Sequence, residues 1–377
     1  EEWEVIKPKE YFKEIKIKVG LENRDKYRPV AVGELGLRFR EEIYKNKVKL
    51  TENTDKYLIF PYCSICFGLG AKTLAVDVNC EKNSKYSVSA AYKIFAFDEK
   101  IFNPIFLRSY IKHVQHLWGS RLLVQSVRQG KKIDKIIFNE LPLPLPPLSE
   151  QQKIAAVLSA VQEAKEKTRA VIDATKTLKK SMMKHLFTYG PVSPVETKNV
   201  PLKETEIGPV PEEWEVVRLG EVFDVQQGKQ LSEKESKEGK IRKPFLRTSN
   251  LNWGYIDISS IDEMYFTSEE FNKLKLESGD ILICEGGDIG RTALYRGELV
   301  ECAYQNHLHR LRPKKDNVDV KFFVLWMNYA INQRKMYTHS ANRTTIPNLS
   351  GSRLKEFIFP LPPLPVQQKI ASILSAI

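Results

Sequence analysis

Small and apolar residues recur at alternating intervals of three and four along the middle of the chain, at Ile154, Val157, Val161, Ala164, Thr168, Val171, Thr175, Leu178 and Met182. This is the spacing of a heptad seam, which predicts one long helix whose apolar side needs a second helix against it. Four prolines at positions 142–147 precede the pattern and Gly190-Pro191 follows it, so we expect the helix to cover residues 149–189. At about 1.5 Å per residue such a helix is on the order of 55–60 Å long.

The entry to this helix occurs twice in the chain. Residues 144–161 read PLPPLSEQQKIAAVLSAV and residues 360–377 read PLPPLPVQQKIASILSAI, identical at thirteen of eighteen positions and 216 residues apart. The segment EEWEV, at 1–5 and again at 212–216, keeps nearly the same period. The chain therefore consists of two copies of one unit, each a globular module followed by a helix. We expect the two helices to pair as an antiparallel coiled coil in a pseudo-twofold repeat; the alternative is a helix packed on its own module.

The repeat divides the chain into five segments. The first module covers 1–148 and the second covers 212–359, while the helices cover 149–189 and, as the start of the second copy, 360–377. Residues 190–211 carry five prolines and two glycines, which indicates a linker. Short apolar runs between turns and helices favour an α/β fold of the α+β type for the modules.

The composition indicates which class of partner the chain could bind. The 59 Lys+Arg exceed the 47 Asp+Glu and leave a formal charge of +12, which suits a polyanion such as nucleic acid, although many basic proteins bind none. No apolar run approaches the ~20 residues that cross a bilayer, and the chain begins without a signal-type stretch, so we expect a cytoplasmic protein. Cys63 and Cys66 have the spacing of zinc ligands, but 46 residues separate them from His113. We therefore expect reduced thiols and no metal site.

Polar turn segments in the second module are candidates for DNA contact, because Asn, Gln and Arg can make bidentate contacts to base edges. A glycine-rich loop, Glu285–Gly290, directly precedes the candidate Arg291. We expect the candidate side chains to contact nucleic acid; the alternative is that they only cap turns or are solvated. The candidates are Asn250, Asn252, Arg291, Asn306, His307, Arg343 and Thr345.

The first module matches the second only loosely. Asp55–Phe60 followed by Pro61–Gly70 takes the place of Asp280–Gly290, and basic residues lie where the second module has its candidates. Because the helices are alike and the modules diverge, we expect the modules to do related but different jobs. The candidates here are Lys72, Arg121, Arg128, Gln129, Lys131 and Lys132.

Catalytic motifs are missing from the sequence. A methyltransferase that acts on amino groups needs Asn/Asp-Pro-Pro-aromatic, but both Pro-Pro pairs here stand between leucines. The loop from Gly286 to Gly290 lacks the Gly-Lys-Ser/Thr of a nucleotide-binding loop. We expect no catalytic residue and no cofactor.

The phrase Pro-Leu-Pro-Pro-Leu-x-x-Gln-Gln-Lys-Ile-Ala, which closes each module, resembles the conserved regions of type I restriction-modification specificity subunits. Gly279-Asp280-Ile281-Leu282 with Ile289-Gly290-Arg291-Thr292 resembles the body of their target-recognition domains. The resemblance implies that each module reads one half of a bipartite site in double-stranded DNA, and that the paired helices set the distance between the halves. Two alternatives remain: a fused DNA methyltransferase or nuclease with an unrecognised site, and a scaffold whose modules bind proteins.

The same resemblance implies protein partners. Methyltransferase (modification) subunits, two of them, would bind against the helices, restriction subunits would join them, and this chain would be non-catalytic. The residues that the resemblance assigns to partner binding are Gln151, Gln152, Lys153, Val157, Val161, Gln367, Gln368 and Lys369.

Overall fold

The structure is a computed structural model that describes residues 3–43, 54–68, 73–125, 131–230, 238–336 and 349–377. It divides into two units, Glu1–Arg169 and Ala170–Ile377. None of the described helices is both long enough and apolar enough to cross a membrane.

The first unit contains short strands around a single substantial helix. Its strands are β1 (Glu4–Ile6), β2 (Lys13–Ile15), β3 (Arg28–Gly33), β4 (Gly36–Phe39), β5 (Leu58–Phe60), β6 (Ser64–Phe67), β7 (Val76–Asn79), β8 (Tyr86–Val88), β9 (Lys93–Ala96), β10 (Leu123–Gln125), β11 (Lys131–Ile133) and β12 (Leu143–Leu145). Its helices are α1 (Pro8–Tyr11), α2 (Arg40–Ile43), α3 (Pro104–Leu122), α4 (Lys135–Asn139) and the first half of α5 (Leu148–Tyr189).

Two four-stranded sheets form most of the first unit. One is antiparallel with the order β2-β9-β6-β7, and the other has the order β4-β3-β8-β5, in which β3 and β8 run parallel. The helix α3 begins where Pro104 follows Asn103, whose side chain accepts hydrogen bonds from the amides of Ile105 and Phe106. Its apolar face, with Leu107 and Ile111, joins the buried cluster of the first sheet. Burial of that face holds the helix on the sheet.

The second unit repeats this plan. Its strands are β13 (Leu202–Lys203), β14 (Val210–Pro211), β15 (Glu215–Arg218), β16 (Phe223–Gln227), β17 (Ile241–Leu246), β18 (Leu251–Asn252), β19 (Tyr255–Ile256), β20 (Asp262–Phe266), β21 (Ile281–Cys284), β22 (Thr292–Leu294), β23 (Ala303–Tyr304), β24 (Leu308–Pro313) and β25 (Ile358–Leu361). Its helices are α6 (Leu219–Val222), α7 (Ser268–Leu274), α8 (Val320–Asn328), α9 (Gly351–Lys355) and α10 (Leu364–Ser375), and a π-helical turn, Tyr329–Gln333, follows α8.

The strand order is the same in both units. The antiparallel sheet β16-β24-β21-β22 matches β2-β9-β6-β7, and β20-β17-β23 matches the part β4-β3-β8, including its one parallel pair. The pairing of β15 with β25 matches that of β1 with β12. An α+β fold built twice is therefore present, and the duplication inferred from the helix entries extends through the modules.

One expected correspondence is wrong. The sequence placed Asp55–Phe60 opposite the strand of Asp280–Gly290, but Leu58–Phe60 is β5 of the second sheet. The counterpart of β21 is β6, because each is the third strand of its antiparallel sheet. Both short strands are apolar, so the composition of the segments could not separate them.

The long helix α5 begins at Leu148, one residue before the expected start, and ends at Tyr189. Ala155 in its first turns is buried in the first unit, and Met183 and Phe187 in its last turns are buried in the second. Between these ends, seam residues are open to solvent: Val157 is 63% exposed and Val171 is 65% exposed. The described residues thus leave this part of the seam uncovered, and the coiled-coil pairing stays a prediction.

Candidate nucleic-acid interface

Three loops meet at one edge of the antiparallel sheet of the second unit. They follow β16 and β21 and precede β24, and we call residues 227–229, 285–291 and 305–307 together the loop edge. The amide of Glu285 donates to the carbonyl of His307 (2.9 Å), and the amide of Asn306 donates to the carbonyl of Lys229 (2.9 Å). These bonds join the three loops into one surface.

Two glycines allow the loops to pack this closely. A side chain at Gly228 would lie 2.4 Å from the carbonyl oxygens of Tyr304 and Gln305. Gly290 has a φ of +74°, and a side chain there would meet Ile331 at 2.9 Å. Both positions therefore require the smallest residue, and they fix where the loops leave the sheet.

Arg291 lies within the loop edge and connects it to a neighbouring turn. Its guanidinium donates to Asp288 Oδ2 (2.8 Å) and to the carbonyl of Thr248 (2.6 Å), and its side chain is only 18% exposed. Arg291 therefore holds the glycine loop against the turn 248–250. Whether it also contacts DNA stays a prediction.

The two asparagines of the neighbouring turn differ in their surroundings. Asn250 is buried, its Oδ1 accepts from the amide of Arg247 (2.9 Å), and its Nδ2 donates to the carbonyls of Asp257 and Ser260. All of these groups are used within the turn, so Asn250 shapes the turn in this conformation. Asn252 lies on β18, opposite Tyr255, and is half-buried.

Asn306 and His307 stand at the tip of the loop that precedes β24. His307 is exposed and Asn306 is half-buried. Gln227 is exposed, and its side-chain Nε2 donates to the backbone carbonyl of Asn306 (3.0 Å). The remaining candidates of this module, Arg343 and Thr345, lie outside the described residues.

Sequence reasoning missed a carboxylate and a histidine at the loop edge. The Oε2 of Glu285 accepts from Gln227 (3.1 Å) and lies 3.5 Å from Nε2 of His309, which is 1% exposed on β24. Burial lowers the pKa of His309, an effect that the Glu285 carboxylate and the Leu349 backbone oppose. Only Glu285 carried a signal in the sequence, as the first residue of the glycine-rich loop.

In the first unit, two described candidates lie on and just before the hairpin formed by β10 and β11. Arg121 is exposed in the last turn of α3, and Lys132 is exposed on β11, opposite Val124. This hairpin lies between α3 and α4. Lys72, Arg128, Gln129 and the side chain of Lys131 lie outside the described residues.

The expectation that Gln151 and Gln367 face a partner is wrong for this structure. Both side chains are fully buried. Gln151 accepts from the amide of Asn103 (2.8 Å) and donates to two carbonyls, and Gln367 does the same with the amide of Asp319 (2.8 Å). The glutamine recurs in both copies of the motif because it makes the same buried hydrogen bonds at each helix entry. The remaining partner candidates are exposed, namely Gln152, Lys153, Val157, Val161, Gln368 and Lys369.

The cysteines are buried or partly buried thiols. Cys63 and Cys66 are buried, and burial raises the pKa of both. His113 and His116 are exposed on α3. Among the described residues no group of three or more His, Cys, Asp or Glu side chains could hold a metal ion.

Comparison with known proteins follows the same duplication. The family model "Type I restriction modification DNA specificity domain" matches residues 1–174 and, again, 211–377. The chain belongs to this family. Two divergent copies of the specificity domain, each of which includes a module and its helix entry, account for the repeat and for the common strand order.

Relatives and solved structures agree with the family. The chain is 32% identical to the specificity subunit of the type I restriction enzyme MjaVIII of Methanocaldococcus jannaschii over 253 residues, 65% of this chain and 57% of that protein. It is 23% identical to the EcoBI specificity subunit of Escherichia coli over 251 residues, 64% of this chain and 52% of that protein. The chain thus spans little more than half the length of these curated relatives.

Two solved chains share the fold. The S subunit of a type I restriction-modification system from M. genitalium superposes with a TM-score of 0.56 at 20% identity, over 99% of this chain and 88% of that chain. A chain from a structure concerned with complex assembly and conformational transition of the type I R-M system gives 0.51 at 17% identity, over 100% and 90%.

Proposed function

We propose that this chain is the DNA-reading subunit of a type I restriction-modification enzyme, in which the modules 1–148 and 212–359 each read one half of a bipartite site. The proposal rests on one observation: the two units share a strand order but carry different side chains at and next to the loop edge. The second unit has Glu285 after β21 and His309 on β24. In the first unit, Lys93 takes the register position of His309, and Leu69 follows Gly68, the counterpart of Cys284. Two modules that share a fold and differ at this edge suit two unlike half-sites.

The charge of the chain supports a polyanionic ligand. A net charge of +12 favours contact with phosphates, which release counterions when they are neutralised. Exposed cations of the first unit are available for this, among them Arg121 and Lys132. Such contacts position a protein on the duplex, whereas Asn252, Asn306 and His307 are the side chains that we assign to base edges.

The helices set the spacing of the half-sites and bind the partner subunits in this proposal. Exposed apolar residues along α5, such as Val157, Val161 and Leu178, are favourable for pairing with a second helix of the same heptad pattern. In the proposed enzyme this pairing is an antiparallel coiled coil that sets the spacing of the half-sites. Two methyltransferase subunits bind along it and restriction subunits join them. Exposed Gln152, Lys153, Gln368 and Lys369 border the two helix entries and would contact these partners.

Selection from a library of random DNA duplexes tests the DNA-reading part. We expect the chain, with its methyltransferase partner, to enrich two short sequences separated by a fixed number of unspecified base pairs. The logarithm of the affinity should fall linearly and steeply with the logarithm of the salt concentration. A salt-independent affinity and no enriched sequence would support the protein-binding scaffold instead.

Two further measurements separate the remaining alternatives. Purification of the tagged chain from its native cells should recover a methyltransferase in two copies for each chain. The isolated chain should not bind S-adenosylmethionine, since the methyl donor would belong to the partner. Binding of the methyl donor by the isolated chain would favour the fused-methyltransferase alternative.

A further inference from the structure

Glu285 is the most firmly held side chain of the loop edge. Its amide donates to the carbonyl of His307 (2.9 Å), and its own carbonyl accepts from the amide of Leu349 (2.8 Å). Its carboxylate accepts from Gln227 (3.1 Å), and its side chain is 16% exposed. Backbone and side chain are thus fixed, and part of the side chain still reaches solvent.

The carboxylate is fixed without being neutralised. Among the described residues, no Lys or Arg nitrogen lies within 4.0 Å of it, and its nearest basic group is His309 at 3.5 Å. That imidazole is 1% exposed, and neither ring nitrogen has a hydrogen-bond partner of good geometry in the described part of the chain. Burial favours the neutral form of the His309 imidazole. The ring therefore lies beside the Glu285 carboxylate without placing a positive charge next to it.

Gln227 orients the carboxylate from the side. Its Nε2 donates to Glu285 Oε2 (3.1 Å) and to the carbonyl of Asn306 (3.0 Å), so its donors face the protein. This part of the surface therefore presents the carboxylate of Glu285, a hydrogen-bond acceptor, to a ligand. Gly286 and Gly287, which follow Glu285, would each meet none of the described residues within 4 Å if a Cβ atom were added.

An acceptor-only site suits one chemical group on DNA. A carboxylate repels phosphates, and on a DNA-facing surface it is favourable where it accepts from an exocyclic amino group. In the major groove, Asp and Glu take this role with N4 of cytosine. We propose that Glu285, positioned by Gln227 and His309, reads the amino group of a cytosine in the half-site of the second module.

This inference rests on the proposed function, because it names a base within a half-site that the chain must first bind. It concerns the second module alone. In the first unit, Lys93 takes the register position of His309, because Phe67 pairs with Val76 and Lys93 as Ile283 pairs with Thr292 and His309. Gly68 is the counterpart of Cys284, and the residue after it in the sequence is Leu69, an apolar residue where the second module has Glu285. A cytosine read in this way belongs to one half-site only, which contributes to the asymmetry of the site.

The test compares the unaltered chain with Glu285→Gln in selection from random duplexes, with the methyltransferase partner present. The matched control is Glu298→Gln, since Glu298 follows β22 at the opposite end of the sheet. We expect the unaltered chain and the control to share one cytosine that Glu285→Gln no longer prefers, with about a tenfold loss of discrimination at that position. The other half-site should be unchanged in all three proteins.

The outcomes separate the two proposals. If the unaltered chain enriches no sequence, the proposed function fails. If it enriches a bipartite site and Glu285→Gln keeps every base preference, or loses a preference for a base other than cytosine, the reading of cytosine is overturned. Should the variant not fold, the unaltered chain is tested on its own site with N4-methylcytosine at each cytosine. The methyl group replaces the hydrogen that faces the major groove, so one position should lose about tenfold in affinity, and equal affinity at all positions overturns the inference.

Discussion

Gln151 and Gln367 make the same three hydrogen bonds in the two units, to backbone groups that stand at equivalent places in the repeat. Each accepts from the amide just before a helix, Asn103 before α3 or Asp319 before α8. Each also donates to two carbonyls, one of them the Pro146 or Pro362 carbonyl. The repeated Pro-Pro and Gln-Gln motif thus joins the entry of one helix to the start of another.

Loss of either glutamine should destabilise its own unit. Gln151→Ala leaves a backbone amide and two carbonyls without their buried partner, and we expect the free energy of unfolding to fall by about 2–3 kcal/mol. Urea unfolding monitored by tryptophan fluorescence measures this, with the exposed neighbour Gln152→Ala as the control. Gln367→Ala and Gln368→Ala form the matching pair in the second unit. Equal stability of the two variants in a pair would contradict the assignment.

Arg291→Ala should weaken DNA binding through the loop edge. The variant loses the bonds to Asp288 and to the Thr248 carbonyl, so the glycine loop is released from the neighbouring turn. We expect a loss of about 1–3 kcal/mol in binding free energy to the selected site. Hydrogen exchange at residues 285–290 should rise at the same time. The control is Arg296→Ala, an exposed arginine beyond β22, and unchanged affinity of Arg291→Ala would remove this residue from the site.

The second unit should lose stability in mild acid because of His309. Burial lowers the pKa of His309 below its ordinary value of about 6.5, so as the pH falls through that value the unfolded chain takes up a proton before the folded chain does. The contribution is present above this pH and is lost below it. We expect the urea midpoint of this unit to fall between pH 7.5 and pH 5.5, conditions chosen on the order of one unit on either side of the ordinary value.

His309→Ile, which replaces the titrating ring by an apolar side chain, tests the source of this effect. The variant should reduce the change of the midpoint with pH, because the side chain that takes up the proton is gone. His116→Gln on the exposed surface of α3 should leave the change as it is. An undiminished pH dependence in His309→Ile would show that other groups cause it.

The thiols should react slowly in the folded protein. Burial raises the pKa of Cys302 to about 12 and that of the half-buried Cys80 to about 12, so at pH 8 few thiolates form. Iodoacetamide labelling followed by mass spectrometry should modify Cys302 far more slowly in buffer than in urea. Stability is unaffected below the ordinary thiol pKa and falls above it, where only the unfolded chain ionises. Rapid labelling of Cys302 in buffer would contradict this burial.

The sequence predicted the larger organisation better than the site. The repeat and the helix 149–189 follow from spacing and from helix breakers, which act locally. The side chains at the loop edge do not, because Gln227, Glu285 and His309 come from three separate strands and meet only when the sheet forms. For the same reason Asn250 was expected on the surface, since a turn that uses its own asparagine has the same composition as one that offers it to a ligand.

The pairing of β1 with β12, and of β15 with β25, joins the first strand of each module to its last. A module on the ribosome therefore lacks its final strand until nearly all of its residues have been made. The helix entry follows directly, so the buried glutamine arrives just after the closing strand. Each module can complete its folding soon after its own last strand leaves the ribosome, with the first finished while the second is still being translated. The order of synthesis thus disfavours pairing between the strands of two modules that share one strand order.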